Sequence, residues 1–231
     1  MNSRDEALKQ IATYTFGQSR KSLIAVEDLV RDTYGKPAER KQLRKRLTAL
    51  LSSDATTDCK QFVCKQLSII GTAEEVPALE KLLTDKNLSH MARFALERIP
   101  GPAADAALRR ALPKAEGKIL IGVINSVGER RDRKAVGDLS KLITHPNNAV
   151  AGAAAAALGK IGGREAVEAL GKASPKLHSI VVDAYLKCAE GFLAEGKKDV
   201  AAGIYQKLRA RTEADHVRAA ALLGLEAVRG Q

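Results

Sequence analysis

One pattern of apolar and small side chains recurs six times between Cys59 and Val228. From each anchor such residues fall at +3, +4, +7, +8 and +11, which is one face of a helix. The clearest copies are Leu88/Met91/Ala92/Ala95/Leu96/Ile99, Val150/Ala153/Ala154/Ala157/Leu158/Ile161 and Val217/Ala220/Ala221/Gly224/Leu225/Val228. The others start at Cys59, Glu116 and Val181, with Gln66 and Glu116 as polar exceptions. Successive anchors lie 29, 28, 34, 31 and 36 residues apart. A unit of that length cannot shield its apolar face alone, so neighbouring units must stack. The chain is therefore expected to be all-helical and held together by contacts between adjacent units.

Punctuation between the copies supports helix pairs. Gly35-Lys36-Pro37 separates the first two helical segments, about 4–16 and 20–33, from the rest. Pro100-Gly101-Pro102 ends one helix and starts the next, with proline in the first turn, where its missing N–H costs nothing. Each template helix is preceded by a second amphipathic segment, such as Val76/Leu79/Leu82/Leu83 or Val136/Leu139/Leu142/Ile143. Gly71, Gly128 and Gly162 each fall twelve residues after an anchor, where a helix end wants a residue able to take positive φ. The connections are short, so paired helices must run antiparallel.

With no Trp and 3% aromatic residues, the core must be built from Ala, Leu, Val and Ile. Small side chains suit close helix approach. Cys59, Cys64 and Cys188 show no CxxC spacing and are expected as buried apolar residues rather than ligands or a disulfide framework. His90, His145, His178 and His216 lie in four different repeats, with no HxxxH spacing. Gly162-Gly163 ends a helix and follows no strand, so it reads as a repeat boundary rather than a phosphate loop. No catalytic, metal-binding or cofactor-binding set is identified, and no cofactor is expected. The opening MNSRDEALKQ holds no signal-peptide core, and the apolar run 149–159 is too short to span a bilayer. A chain complete as given is expected in the cytoplasm. It stops at Gln231 directly after a full template, which suggests an excised domain or an end-to-end self-contact.

The segment HPNNAVAGAAAAALGKIGG (145–163) is similar to the HEAT-repeat pattern of a turn followed by V-R-x-x-A-A-x-A-L-G-x-I-G. LTDKNLSHMARFALERIPG (83–101) and HVRAAALLGLEAVRG (216–230) resemble it with substitutions. Asp85 and Arg218 match the family's turn Asp and its following Arg, while His145 and Ala151 replace them in the clearest copy. Residues 189–208 resemble the second half of a TPR unit, with Gly196, Ala201 and Tyr205 at the expected offsets. The run from Leu88 is also similar to HEAT segments of large multidomain proteins from planctomycete-type bacteria. The resemblance implies an all-α, right-handed α-solenoid of antiparallel helix pairs, with about 14 helices in one body over residues 1–231. Residues 1–35 are then an irregular hairpin and 36–231 six pairs.

The HEAT resemblance implies a protein-interaction or scaffolding module without catalysis, whose partner is another protein or peptide. The net charge of +11 opens a second reading, nucleic-acid binding through basic patches. A third is a HEAT-like accessory lyase acting on a protein-bound cofactor. Arg40, Lys41, Arg44 and Lys45 cluster on one helix, where Leu43, Leu47, Leu50 and Leu51 form the buried stripe and the bases are expected mainly off it. Arg130, Arg131 and Arg133 surround Asp132 in a loop. Lys60, Arg93, Lys118 and Asn125 fall on the second helices, which line the partner-facing surface of HEAT arrays. These eleven residues are the candidate partner-binding set. Few bases lie on those second helices, which argues against a nucleic-acid cradle.

Overall fold

The computed structural model describes residues 3–211 and 214–230, and among them are fourteen α-helices and no strand. The fold divides into two compact units, residues 1–123 and 124–231.

In the first unit, α1 (Ser3–Ala12) packs on α2 (Lys21–Asp32), α3 (Pro37–Leu51) on α4 (Thr57–Ile70), and α5 (Val76–Glu80) on α6 (Ser89–Arg98). Then come α7 (Pro102–Ala111) and α8 (Gly117–Glu129), the latter running across the division. First helices stack on first helices (α3 on α5, α5 on α7), and α4 stacks on α6. The template faces are what they bury. Cys59, Phe62, Val63, Gln66, Leu67 and Ile70 are all buried on α4, as are Leu88, Ala92, Ala95, Leu96 and Ile99 around α6. Gln66 follows its apolar neighbours inward although it carries an amide, and its Nε2 is buried without a hydrogen-bond partner among the described residues.

The opening hairpin is tied to α4 by hydrogen bonds as well as packing. The Thr56 N–H donates to the Ala12 carbonyl at 3.0 Å, and the Thr56 hydroxyl donates to the Tyr14 carbonyl. The Phe16 N–H donates to Asp58 Oδ2 at 2.8 Å. Thr56 Oγ1 also accepts from Cys59 N at 3.1 Å, so one residue both caps α4 and holds the preceding hairpin.

In the second unit, α9 (Val136–Leu142) packs on α10 (Asn148–Ile161), α11 (Arg164–Leu170) on α12 (His178–Ala194), and α13 (Lys198–Arg211) on α14 (Asp215–Gly230). Here α12 packs on both α10 and α14, and α9 stacks on α11. Asn147 caps α10 by accepting from Ala149 N at 2.9 Å. His145 takes the part of the turn aspartate: its Nδ1 accepts from Asn147 N at 3.0 Å, as Asp85 Oδ1 accepts from Asn87 N at 2.8 Å. Arg218 pairs within its own helix with Asp215.

Two of the three glycines expected at positive φ serve another purpose. Gly162 has φ +70, as a helix terminator should. Gly71 is extended (φ −66, ψ 154), and a Cβ there would meet the Leu67 carbonyl at 2.4 Å and Ile99 at 2.9 Å. Gly128 is still inside α8, and its missing Cβ admits Ala157 of α10, which would otherwise sit at 2.9 Å. Gly159 repeats the device, since a Cβ there would lie 2.7 Å from the Ala184 Cα on α12. Small residues here set how near two helix backbones can come.

The residue that does terminate α8 in the left-handed region is Arg131, at φ +51. Its N–H donates to the Gly128 carbonyl at 3.0 Å, and the Asp132 N–H donates to the Val127 carbonyl at 3.4 Å, which together form a Schellman end. The equivalent residue after α12 is Gly196, at φ +74. An L side chain in that conformation costs about 1 kcal/mol. Arg131→Gly is therefore expected to raise the stability of the second unit by about 1 kcal/mol, read as a higher denaturation midpoint. A lower midpoint would show that the arginine side chain contributes more than its backbone strain costs.

Candidate functional site

The eleven candidate residues fall in both units. Arg40, Lys41, Arg44, Lys45, Lys60, Arg93 and Lys118 belong to the first unit, and Asn125, Arg130, Arg131 and Arg133 to the second. Charge is spread as evenly, with 21 basic against 15 acidic residues in 1–123 and 17 against 12 in 124–231.

The α3 cluster is largely engaged within the fold. Arg44 was expected mainly off the apolar stripe, but it is buried between Leu43 and Leu47. Its Nε lies 3.1 Å from Glu75 Oε2, and the two side chains are 10% and 4% exposed. Glu75 also accepts from the Thr72 N–H at 2.8 Å and the Thr72 hydroxyl at 2.9 Å, reaching back over the turn before α5 as a capping-box glutamate does. Lys41 meets Glu74 at 2.9 Å, and the hydrogen bond and charge of that ammonium hold the Glu74 carboxyl below its ordinary range. Arg40 donates to Thr33 Oγ1 at 3.2 Å and lies 5.8 Å from the Tyr34 ring centroid. Lys45 is exposed.

Arg93 is half-buried and lies across Gly122 of α8, donating to its carbonyl at 3.1 Å. A Cβ at position 122 would meet the guanidinium at 2.6 Å, so that glycine makes the berth. Burial lowers the Arg93 pKa from its ordinary value. Lys60 and Arg130 are half-buried, and Lys118, Asn125 and Arg131 are exposed. Arg133 bridges to Glu195 at 2.7 Å, and Lys197 pairs with the same carboxylate at 2.7 Å. The Lys197 hydrogen bond, then its charge, and then Arg133 draw the Glu195 pKa down.

The thiols are core residues, as their isolation in the sequence suggests. Cys59, Cys64 and Cys188 are all buried and free. Burial lifts the Cys59 pKa to about 11 and those of Cys64 and Cys188 to about 12, which makes them poor nucleophiles at neutral pH. Among the described residues no three His, Cys, Asp or Glu side chains cluster so as to hold a metal ion. No described helix is long and apolar enough to cross a membrane.

One concave feature lies where no candidate was named. In the second unit a groove of about 500 Å³ opens between α11 and α13, over α12. Val167 and Leu170 of α11 form one wall, and Ile204 and Leu208 of α13 the other. Val181, Val182 and Tyr185 of α12 form the floor. Glu168, Ser174, His178 and Lys207 add polar groups to the lining. The groove has a local cause. After Leu170 the chain turns at Gly171, and Ser174 is extended (ψ 141) before Pro175, as a residue preceding proline must be. The α11 helix is thus 7 residues long beside a 14-residue α13, and a loop takes the place of the turns that would cover α12. The sequence carries a signal for this in Ser174-Pro175 and in the widest anchor interval, 36 residues, immediately downstream.

A family model described as HEAT repeats matches residues 106–182. No curated protein matches the sequence. Among solved structures, the archaeal HEAT-like repeats protein from Thermococcus onnurineus NA1 is similar, with a TM-score of 0.54 and 13% identity over 100% of this chain and 98% of that one. Human deoxyhypusine hydroxylase, determined in complex with glycerol, aligns at 16% identity over 99% of this chain and 96% of its own, with a TM-score of 0.42. The second likeness is too loose to bear on function, and the first, at such identity, speaks to fold alone. Residues 106–182 thus carry HEAT repeats, and the helix pairs stacked in each unit give the chain the all-helical fold of a HEAT-like repeat protein.

Proposed function

We propose that the protein is a non-catalytic interaction module that takes a segment of a partner protein into the groove between α11 and α13. The carrying observation is that groove, with its aliphatic walls, a floor of two valines and a tyrosine, and a few polar side chains among them. Recognition of an amphipathic segment by such a groove uses ordinary helix packing, with the partner covering the face that α11 is too short to cover. Two further features favour binding over chemistry. The four histidines sit on separate elements, at α6, the turn before α10, the start of α12 and α14. The thiols are shut inside the core.

Nucleic-acid binding is supported less well. Arg44, Lys41 and Arg133 are each engaged by a carboxylate, and the positive charge is divided between the units without concentration in either. The reading is tested by selecting a displayed random-peptide library on the whole chain. Enriched sequences should share two or three aliphatic or aromatic anchors, and Val167→Lys, at a half-buried position on the groove wall, should weaken them by about tenfold or more. No enrichment over an unrelated helical protein, or binders indifferent to Val167→Lys, would overturn it.

A further inference from the structure

We infer that the segment taken into the groove is acidic: an amphipathic peptide whose aliphatic side chains enter the groove while carboxylates flank them. The inference rests on the peptide-binding reading above and adds the partner's charge. It comes from which polar and charged groups border the apolar floor. Lys207 of α13 and His178 at the start of α12 both line the groove. The loop closing one end, residues 171–177, contributes Gly171, Ala173, Ser174 and Pro175 to the lining and presents exposed Lys172 and Lys176 between and beside them. Against these, Glu168 is the one carboxylate in the lining.

Within the lining Lys207 and His178 therefore stand against Glu168, and exposed Lys172 and Lys176 add positive charge on the loop that closes one end. An incoming segment loses water from its own flanking charges as it seats. Carboxylates find ammonium groups there, whereas lysines would meet like charge. Such complementarity acts on partner choice and on association rate, and it weakens with salt. The aliphatic contacts set the position of the segment, and the rim decides which segments are accepted.

The experiment uses the whole chain and synthetic peptides drawn from the library selection. One anchored sequence is made in two forms, with the flanking positions all Glu or all Lys, and binding is read by fluorescence anisotropy at low and moderate salt. The Glu form is expected to bind about tenfold or more tightly than the Lys form, with the gap narrowing as salt rises. Lys207→Glu, at an exposed position that leaves the core untouched, should erase or reverse that preference while circular dichroism and melting stay unchanged. If both forms bind equally and both are weakened by Val167→Lys, the groove binds peptides and the charge assignment is wrong. If neither form binds, the peptide-binding reading falls with it. If single-stranded DNA displaces the Glu peptide from the wild-type chain but not from Lys207→Glu, the rim serves nucleic acid and the inference is overturned.

Discussion

Arg44→Met is expected to destabilise the first unit by about 3–5 kcal/mol, a larger loss than any exposed lysine or arginine of this chain should produce. The reason is the state in which it leaves Glu75. That carboxylate is 4% exposed and keeps its two Thr72 hydrogen bonds, but it loses the guanidinium 3.1 Å away that compensates its charge. A buried pair is worth little relative to well-packed apolar residues, whereas half of one is costly. The double variant Arg44→Met/Glu75→Leu should therefore recover much of the loss and stop about 1–2 kcal/mol short of the parent, because Thr72 loses the acceptor of its two hydrogen bonds. Chemical denaturation of the four chains checks this as a mutant cycle. A single-variant loss below about 1 kcal/mol would place the pair in water and undo the burial argument.

Gly159→Leu should separate α10 from α12 and cost about 3 kcal/mol or more, because the crowding atoms include backbone that cannot swing aside. Even Gly159→Ala tests the point by its sign. Replacing a glycine inside a helix with alanine ordinarily gains about 1 kcal/mol. At position 159 the new Cβ would fall 2.7 Å from the Ala184 Cα and 2.8 Å from its Cβ, so a loss is expected. Gly203, inside α13, has nothing within 4 Å of an added Cβ, so Gly203→Ala should show the ordinary gain of about 1 kcal/mol. Thermal melting of the two alanine variants should move in opposite directions. Stabilisation by both would mean that α10 and α12 lie further apart than the structure places them.

The groove reading and these two predictions draw on different kinds of information. The periodic face made the template helices legible residue by residue: Leu96, Leu158 and Leu225 are all buried where the pattern puts them. Helix starts were legible too, at Pro102 and at the turn before α10, because caps and prolines act on their own few residues. Arg44 was misplaced for the converse reason. On α3 alone it is one base among several beside a leucine stripe, and its partner arrives on a turn thirty-one residues later. Gly128 was expected to end a helix and instead lies inside one and admits a neighbour, while Gly71 does end α4 but in an extended conformation rather than at positive φ. Arg131, which does adopt the left-handed conformation, has no glycine signature.

Helical periodicity shows which side of a segment faces inward, since that depends on residues three and four apart along one helix. Stacking of repeats follows from the same fact, because each exposed apolar face demands a cover. What presses on a face, and at what distance, is settled between residues such as Gly159 and Ala184, twenty-five apart in the chain. The groove belongs to this second kind. It exists because a short α11 and its proline-bounded loop leave α12 uncovered beside a longer α13, a mismatch of lengths that has physical meaning only once the helices are stacked.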